Sequence, residues 1–377
     1  MSPIGHGHSR DRERGQLLVV FALGLVVFIA GVALVIDAGV AYAQQRGVQN
    51  GSDAAPNAGA VVLAQRLGGV TKTDQDVADA VSFSAGQNLI DQDAYYTNVT
   101  GQPIDASGNP VAPVSAVRVG ATGTIPPNAQ GVHVGGTRTF GTTFARVVGL
   151  NQFTAGAEAT AVTGKLIGGA FLPVIFPVNI TDCSGNGNLG LPKEQWPTSV
   201  PGAPGQHPVG TEYIIPLCKT GSGSFMVLDL DGTKNNCDDE VLNPPFIQWD
   251  TFPVTVASDN GNNCAKKMSD EVNTLHGQIV LIPICDNNDC NTDGGSKAEY
   301  HVTGVVAFWL DYMDHSNNKN NSLCQTHTNP DGQLLQTISG NGSSSCIAGW
   351  FVNFITTGPV GSGPIGNADS IGVQLIK

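Results

Sequence analysis

The sequence predicts an α+β protein. A single N-terminal transmembrane helix continues into a stalk, followed by an α+β region and a mostly β, disulfide-containing C-terminal domain. Three observations support this prediction: an uncharged apolar run near the N-terminus, later segments with strand-like alternation, and eight cysteines that all lie beyond residue 180. A chain of 377 residues is also long enough for two or three domains.

The charge of the chain excludes one class of partner. Lysine and arginine together number 18 against 31 aspartates and glutamates, which gives a formal net charge of -13. A surface that binds nucleic acid needs a basic patch. We therefore expect no nucleic acid partner.

The first element is the run "LLVVFALGLVVFIAGVALVI", residues 17–36, which contains no charged side chain. At about 1.5 Å per residue, a helix of this length matches a hydrocarbon core roughly 30 Å thick. The run therefore predicts one membrane-spanning helix. A cleaved signal peptide is the alternative, because "AYA" at 41–43 resembles a cleavage site, but the apolar cores of signal peptides usually have about 7–15 residues.

Basic residues set the predicted orientation of this helix. Arg10, Arg12 and Arg14 precede the run, whereas Arg46 is the only basic residue in the twenty positions that follow it. Cytoplasmic flanks carry the excess of lysine and arginine. Residues 1–16 are therefore expected to form a cytoplasmic tail, and the bulk of the chain is expected to be extracytoplasmic.

Asp37 directly follows the apolar run. A carboxylate at this depth reaches the membrane interface, so Asp37 is predicted to mark the membrane exit. The alternative is that Asp37 pairs with a cation of a partner protein. Gly24, Gly31 and Ala38 recur every seven positions and would let a partner transmembrane helix come close, although chance in a glycine-rich chain explains this spacing equally well.

Residues 14–64 carry a set of features that occur together in one known family. They are Arg14-Gly15, Asp37-Ala38-Gly39, Tyr42, Arg46, Gln49, Ser52-Asp53-Ala54-Ala55 and Ala58-Gly59-Ala60. This stretch resembles the N-terminal segment of TadE/TadG-like proteins of the tight-adherence (Flp) pilus assembly system. Residues 131–164 are similar to the strand, helix, strand unit of such proteins.

The resemblance implies a cell-membrane protein whose partners are other pilus assembly or secretion proteins. Pro56 departs from the family pattern. Pro56 predicts a break in the stalk, residues 37–70, because proline removes a backbone donor and clashes with the preceding turn. Val20 stands where processing after Gly15 would require a glutamate, so the chain is expected to stay unprocessed.

The predicted ectodomain has three parts: an α+β region (71–180), a Pro/Gly-rich loop (181–210) and a β-rich domain (211–377). In the first, "TDQDVADAVSFSAGQNL" predicts a capped helix, and "AVRVGAT" and "VHVGGT" alternate as strands do. In the last, the predicted strands are "SFMVLDL", "GQIVLIPI", "YHVTGVVAFWLDY", "GWFVNFI" and "IGVQLI".

The cysteines lack the CxxC spacing of zinc or redox sites. Their even number predicts disulfides and an oxidising compartment, and buried free thiols are the alternative. We expect local pairing, because each such pair closes a short loop. The predicted pairs are Cys183 with Cys218, Cys237 with Cys264, Cys285 with Cys290, and Cys324 with Cys346.

Two acidic turns are candidate calcium sites. Asp289, Asn291 and Asp293 fit the opening of a D-x-[DN]-x-[DN]-G loop, but its twelfth position, which requires a glutamate, is Tyr300. Asp229 and Asp231 belong to a second acidic turn. The alternative for both is a solvated turn held by neighbouring disulfides.

The sequence contains neither a G-x-S-x-G nucleophile motif nor an H-E-x-x-H zinc motif. We therefore expect no catalytic residues and no cofactor other than calcium. The leading hypothesis is a membrane-anchored, non-enzymatic component of a Flp/Tad-type pilus assembly or secretion apparatus. The alternatives are an anchored adhesin or ligand-binding domain and, with less support, an anchored hydrolase.

Overall fold

In the part of the chain that the structure describes, the fold consists of one long N-terminal helix, two larger β-sheets and three shorter α-helices. The computed structural model describes residues 10–180, 191–192, 196, 199, 206–217, 226–234, 236–249, 251–259, 261–285, 290, 299–315, 336–337, 345–363, 365 and 369–376. The expected loop at 181–210 therefore lies mostly outside the described residues. Within them, mixed α+β structure follows a long apolar helix, as the sequence predicts.

Helix α1 (Arg10–Leu67) has 58 residues and two different halves. From Leu18 to Ile36 its large apolar side chains are exposed, and no other element of the described chain covers them. This is the one described helix that is long and apolar enough to cross a membrane. Its position near the N-terminus is compatible with a membrane anchor and also with a signal sequence.

The second half of α1 packs into the fold. Val48, Ser52, Ala55 and Leu63 are fully buried and recur at the three-to-four-residue spacing of one helix face. Small residues let this face approach closely: a Cβ added at Gly59 would lie 2.8 Å from Val81 Cγ2 and 2.9 Å from Val132 Cγ2. An added Cβ would therefore clash with both valine side chains.

The prediction of a new helix start near Pro56 is wrong, because α1 continues through this residue to Leu67; the alternative, a kink at Pro56, stays a prediction. An interior proline costs a helix about 3 kcal/mol. Buried neighbours on both sides of it, Ala55 and Ala60, hold the second half of α1 against the sheet. Tertiary packing therefore outweighs the local penalty.

The first sheet lies against α1 and has the strand order β1-β2-β3-β17-β15, with β16 also paired to β3. Its strands are β1 (Asp91–Thr97), β2 (Gly131–Gly141), β3 (Gln152–Leu166), β15 (Ile355–Thr357), β16 (Val360–Gly361) and β17 (Ile371–Ile376). The pairs β1–β2, β2–β3 and β3–β17 are antiparallel. Short helices η1 (Pro113–Ser115) and η2 (Ala145–Val148) lie in its loops.

Helix α2 (Asp74–Gln87) forms where the sequence predicts a capped helix. Thr73 is its N-cap: the Thr73 hydroxyl accepts from the Asp76 N–H, and the Asp76 carboxylate accepts from the Thr73 N–H. This reciprocal pair is a capping box. Val77, Val81 and Ala85 are buried and pack in the same core as α1 and β2.

The second sheet has the strand order β13-β8-β14-β12-β11-β5, and β10 also pairs with β12. Its strands are β5 (Phe176–Pro177), β8 (Tyr213–Pro216), β10 (Val254–Ala257), β11 (Ile279–Cys285), β12 (Glu299–His315), β13 (Gln336–Thr337) and β14 (Ser345–Val352). Two-stranded ladders join β4 (Gly168–Ala170) to β9 (Phe246–Gln248) and β6 (Asn179–Ile180) to β7 (Leu191–Pro192). Two helices lie along the chain between strands of this sheet: α3 (Cys237–Leu242) and α4 (Gly261–Asn273).

The C-terminal strands do not belong to the second sheet. Strand β17 pairs with β3 from Ile371↔Lys165 to Ile376↔Thr160, and Ile371 packs with Ala60 and Ala64 of α1. This arrangement departs from the predicted β-rich unit 211–377. The physical reason is burial, because Ile371 and Val373 of β17 pack in one cluster with apolar residues of α1 and β3.

Most of the predicted strands are present as β2, β11, β12, β14 and β17. The strand predicted at "AVRVGAT" is absent: Arg118 forms only an isolated bridge with Tyr95. The stretch containing Val227 and Leu228 also forms isolated bridges and no strand. Helix α4 was not predicted, because its sequence "GNNCAKKMSDEVN" begins with residues typical of turns.

Candidate functional site

Asp37 accepts hydrogen bonds from its own chain. Its carboxylate oxygens accept from the backbone N–H groups of Thr143 at 2.9 Å, Phe144 at 2.9 Å and Ala145 at 2.5 Å. These groups begin η2, in the loop between β2 and β3. Asp37 is only 6% exposed. Its carboxylate fixes this loop to α1.

This contact gives the predicted membrane exit a structural role as well. Three N–H donors at the start of a helical turn are a favourable site for a negative charge. Arg146 adds an attractive charge. The alternative of a partner's cation at Asp37 is still a prediction, because the described contacts are all within the chain.

The loop held by Asp37 exposes a group of large apolar side chains. Phe144 is 39% exposed, Val147 84% and Leu150 52%. The β2–β3 hairpin brings this group, which we call the apolar tip, beside the end of the exposed half of α1. Sequence reasoning missed the tip, since the pairing of Asp37 with the tip joins residues more than 100 positions apart.

Gly24, Gly31 and Ala38 lie along the exposed half of α1. A Cβ added at Gly24 or Gly31 would meet no heavy atom of the chain within 4 Å, and Ala38 is exposed. The chain itself therefore leaves these positions open. Their predicted use by a partner helix stays a prediction.

A second buried carboxylate, Asp74, organises the other end of the first sheet. Its oxygens accept from the Tyr96 hydroxyl at 2.7 Å and from the backbone N–H groups of Gly120, Thr122 and Gly123 at 2.7, 3.1 and 2.8 Å. Burial alone would raise the pKa of Asp74, but these four donors hold it below its ordinary value. Burial and the Asp74 carboxylate both raise the pKa of Tyr96.

Two of the predicted disulfides are confirmed. Cys237 pairs with Cys264 at a Cα–Cα distance of 5.6 Å, and Cys285 pairs with Cys290 at 4.9 Å. Cys346 is also disulfide-bonded. The remaining predicted partners, Cys183, Cys218 and Cys324, lie outside the described residues.

Asp229 and Asp231 come together with a residue that the sequence did not single out, Glu240 of α3. One ligand-type oxygen from each of the three side chains lies within 4.8 Å of the others. Glu240 Oε1 accepts from the backbone N–H of Leu230 at 2.6 Å and of Asp231 at 2.9 Å. We call these three residues the acidic cluster.

Two carboxylates of the acidic cluster are buried, with Asp229 8% and Glu240 2% exposed. Among the described residues, Glu240 Oε2 and Asp229 Oδ1 have no hydrogen-bond partner. Burial raises the pKa of Glu240 to about 7, and burial together with Asp259 and Asp231 raises the pKa of Asp229. The sequence signal that could have found Glu240 is its place in the same acidic segment, "DLDGTKNNCDDE".

Two other sets of candidate ligands give no metal site among the described residues. Cys237, Cys264 and Asp259 lie close together, but their disulfide leaves no thiolate to bind a metal. The predicted calcium ligands Asp289, Asn291 and Asp293 lie outside the described residues.

A cavity of about 440 Å³ opens between the β4–β9 ladder and strand β11. Its lining includes Phe171, Leu172, Val280, Leu281 and Phe354, and Glu240 reaches its wall. A volume in this range is typical of small-molecule sites. The comparisons of this chain with family models, with curated proteins and with solved structures found no match.

Proposed function

We propose that this protein is a membrane-anchored, non-enzymatic component of a Flp/Tad-type pilus assembly or secretion apparatus. In this proposal the exposed half of α1 is the membrane anchor, the N-terminus is cytoplasmic, and the two sheets stand outside the membrane. The proposal rests on the sequence resemblance and on the topology that the apolar run indicates.

One structural observation supports the proposal most directly: α1 passes from its exposed apolar half into the core of the first sheet without ending. A protein anchored through a flexible linker would leave its ectodomain free to rotate. Here Asp37 also fixes the β2–β3 loop to α1 at the point where the apolar run ends. An ectodomain held rigidly at the membrane suits a part that must present a fixed surface to assembly partners.

The test is deletion of the gene followed by complementation. We expect cells without the protein to lack surface pili in electron micrographs, and the wild-type chain to restore them. The matched comparison is a chain with the same ectodomain but with a cleavable signal peptide in place of residues 1–36. Normal pili on deleted cells, or full rescue by the unanchored chain, would contradict the proposal.

A second candidate, an anchored ligand-binding or adhesive domain, is favoured by the 440 Å³ cavity. Its lining combines apolar side chains with polar ones that include Glu240, Gln278 and Thr356, a mixture found in small-molecule sites. Cells that keep their pili but no longer adhere after deletion would favour this candidate. Leu281→Trp would fill the cavity, and the adhesive function should then be lost while pilus number stays normal.

A further inference from the structure

We propose that the acidic cluster of Asp229, Asp231 and Glu240 binds one calcium ion. The three residues approach from two elements: Asp229 and Asp231 from the segment after Leu228, and Glu240 from α3. The bridge between Leu228 and Ser258 fixes the first element. One oxygen from each residue falls within the 4.8 Å grouping that a single cation requires.

Oxygens without hydrogen-bond partners distinguish this cluster from an ordinary acidic turn. Glu240 is 2% exposed and Asp229 8%, and each has one buried oxygen, Oε2 and Oδ1 respectively, without a partner in the described part of the chain. A buried acceptor without a hydrogen-bond donor costs roughly 1–3 kcal/mol, and more when it is charged. A cation between the carboxylates would satisfy both oxygens at once.

The ligand chemistry selects calcium among the common metals. All three side chains offer carboxylate oxygens, the hard ligands that Ca²⁺ and Mg²⁺ prefer, and none offers sulfur or imidazole nitrogen. Calcium accepts irregular sets of six to eight oxygens at about 2.3–2.6 Å, with water completing the shell, whereas magnesium demands near-ideal octahedral geometry. A partly buried site with three carboxylates on two elements fits the coordination of calcium.

Covalent structure holds the cluster in place. The disulfide between Cys237 and Cys264 joins the start of α3 to α4, and Glu240 lies three residues after Cys237. Glu240 Oε1 is further fixed by the N–H groups of Leu230 and Asp231. Ligands held before binding lose little conformational entropy when the ion arrives.

Two other ways to neutralise the cluster compete with this proposal. Lys234 lies close enough to Asp229 to favour its charged form, and a proton could be shared among the carboxylates. Either one would lower the affinity of the cluster for calcium, so a direct binding measurement decides among them.

The experiment is isothermal titration of CaCl₂ into the full chain in detergent micelles after removal of metal with a chelator. We expect one Ca²⁺ per chain with a dissociation constant of about 10⁻³ M or tighter, the range of extracellular calcium modules. Magnesium should bind at least tenfold more weakly. Calcium should also raise the melting temperature of the chain.

Glu240→Gln is the decisive variant, because glutamine keeps the shape and the acceptor for Leu230 and Asp231 but removes the charge. We expect it to fold and to weaken calcium binding at least tenfold, as should Asp229→Asn. Glu158→Gln is the matched control, since the Glu158 side chain is 80% exposed and its loss should leave binding unchanged.

Three results would overturn the proposal. The first is a folded wild-type chain that binds no calcium at about 10 mM, tenfold above the weak end of this range. The second is Glu240→Gln binding calcium with wild-type affinity. The third is loss of binding in the double variant Asp289→Asn, Asp293→Asn while Glu240→Gln retains it, which would place the ion in the other acidic turn.

Discussion

Single carboxylates fix the loops of the first sheet to its helices. Asp37 and Asp74 each accept from three backbone N–H groups of a distant loop, and Asp74 also accepts from the Tyr96 hydroxyl. A charged acceptor makes stronger hydrogen bonds than a neutral one. Each side chain therefore orders a loop that lacks regular backbone pairing of its own.

For Asp37 we expect Asp37→Asn to insert normally but to loosen the β2–β3 loop. Asparagine loses the charge, and its amide nitrogen replaces one of the two acceptor oxygens, so either the Thr143 N–H or the Ala145 N–H is left without an acceptor. Hydrogen exchange should show faster exchange of the amides of residues 143–145. The control is Asp91→Asn at an exposed position of β1. Unchanged protection of the loop would contradict this role of Asp37.

For Asp74 we expect Asp74→Asn to lower the free energy of unfolding by about 3 kcal/mol, because it leaves buried donors without a charged acceptor. The lowered pKa of Asp74 also gives stability that is present above its ordinary value of 3.8 and is lost as pH falls below it. Urea denaturation in micelles at several pH values measures both effects. The exposed Asp79, changed to Asn, is the control. Equal acid sensitivity of the wild type and Asp74→Asn would contradict this role.

At the scale of elements, the β2–β3 hairpin and α1 form one unit beside the proposed membrane surface. Strand β2 runs from the end of the sheet near Gly59 to η2 near Asp37. The apolar tip of Phe144, Val147 and Leu150 thus lies where α1 would leave the lipid. Exposed apolar side chains in this position favour contact with the bilayer interface.

We expect the fluorescence of Val147→Trp in lipid vesicles to be quenched by brominated acyl chains. Val114→Trp is the matched control, because Val114 is 88% exposed and lies in η1, in the loop at the opposite end of β2. For each variant, the quenching of the wild-type chain, which reports its four native tryptophans, is subtracted. Equal quenching of the two variants would show that the tip does not contact lipid.

At the scale of the whole molecule, the C-terminal strand joins the two parts of the chain. Strand β17 pairs with β3, and the Thr163 hydroxyl donates to the Gly372 carbonyl at 2.9 Å across 209 residues of sequence. The second sheet is therefore inserted between strands of the first. The two sheets should lose structure together and not as independent domains.

We expect Ile371→Ala to destabilise the first sheet and not only the C-terminal tail. Ile371 is 1% exposed and packs on α1, and such truncations cost about 2–5 kcal/mol. Hydrogen exchange should accelerate in α1 near Ala60 and Ala64. Val209→Ala is the control, because Val209 is 76% exposed. A loss of protection confined to 371–376 would contradict the shared core.

The sequence by itself determined the features that depend on local pattern. The apolar run gave α1 its exposed half, the Thr73 capping signal gave α2, and two-residue alternation gave most of the long strands. Close spacing along the chain was sufficient to predict the Cys237–Cys264 and Cys285–Cys290 disulfides. In each case the cause and its effect lie within about thirty residues.

Only the tertiary structure decided what depends on distant residues. Helix α1 continues through Pro56 because of packing against the sheet, which the local rule for proline does not include. Asp37 meets η2 because the β2–β3 hairpin brings a loop more than 100 positions away against α1. The pairing of β17 with β3 joins two strands that more than half of the chain separates. No local periodicity encodes these contacts, since their energy arises from burial and from partners that become neighbours only in the folded molecule.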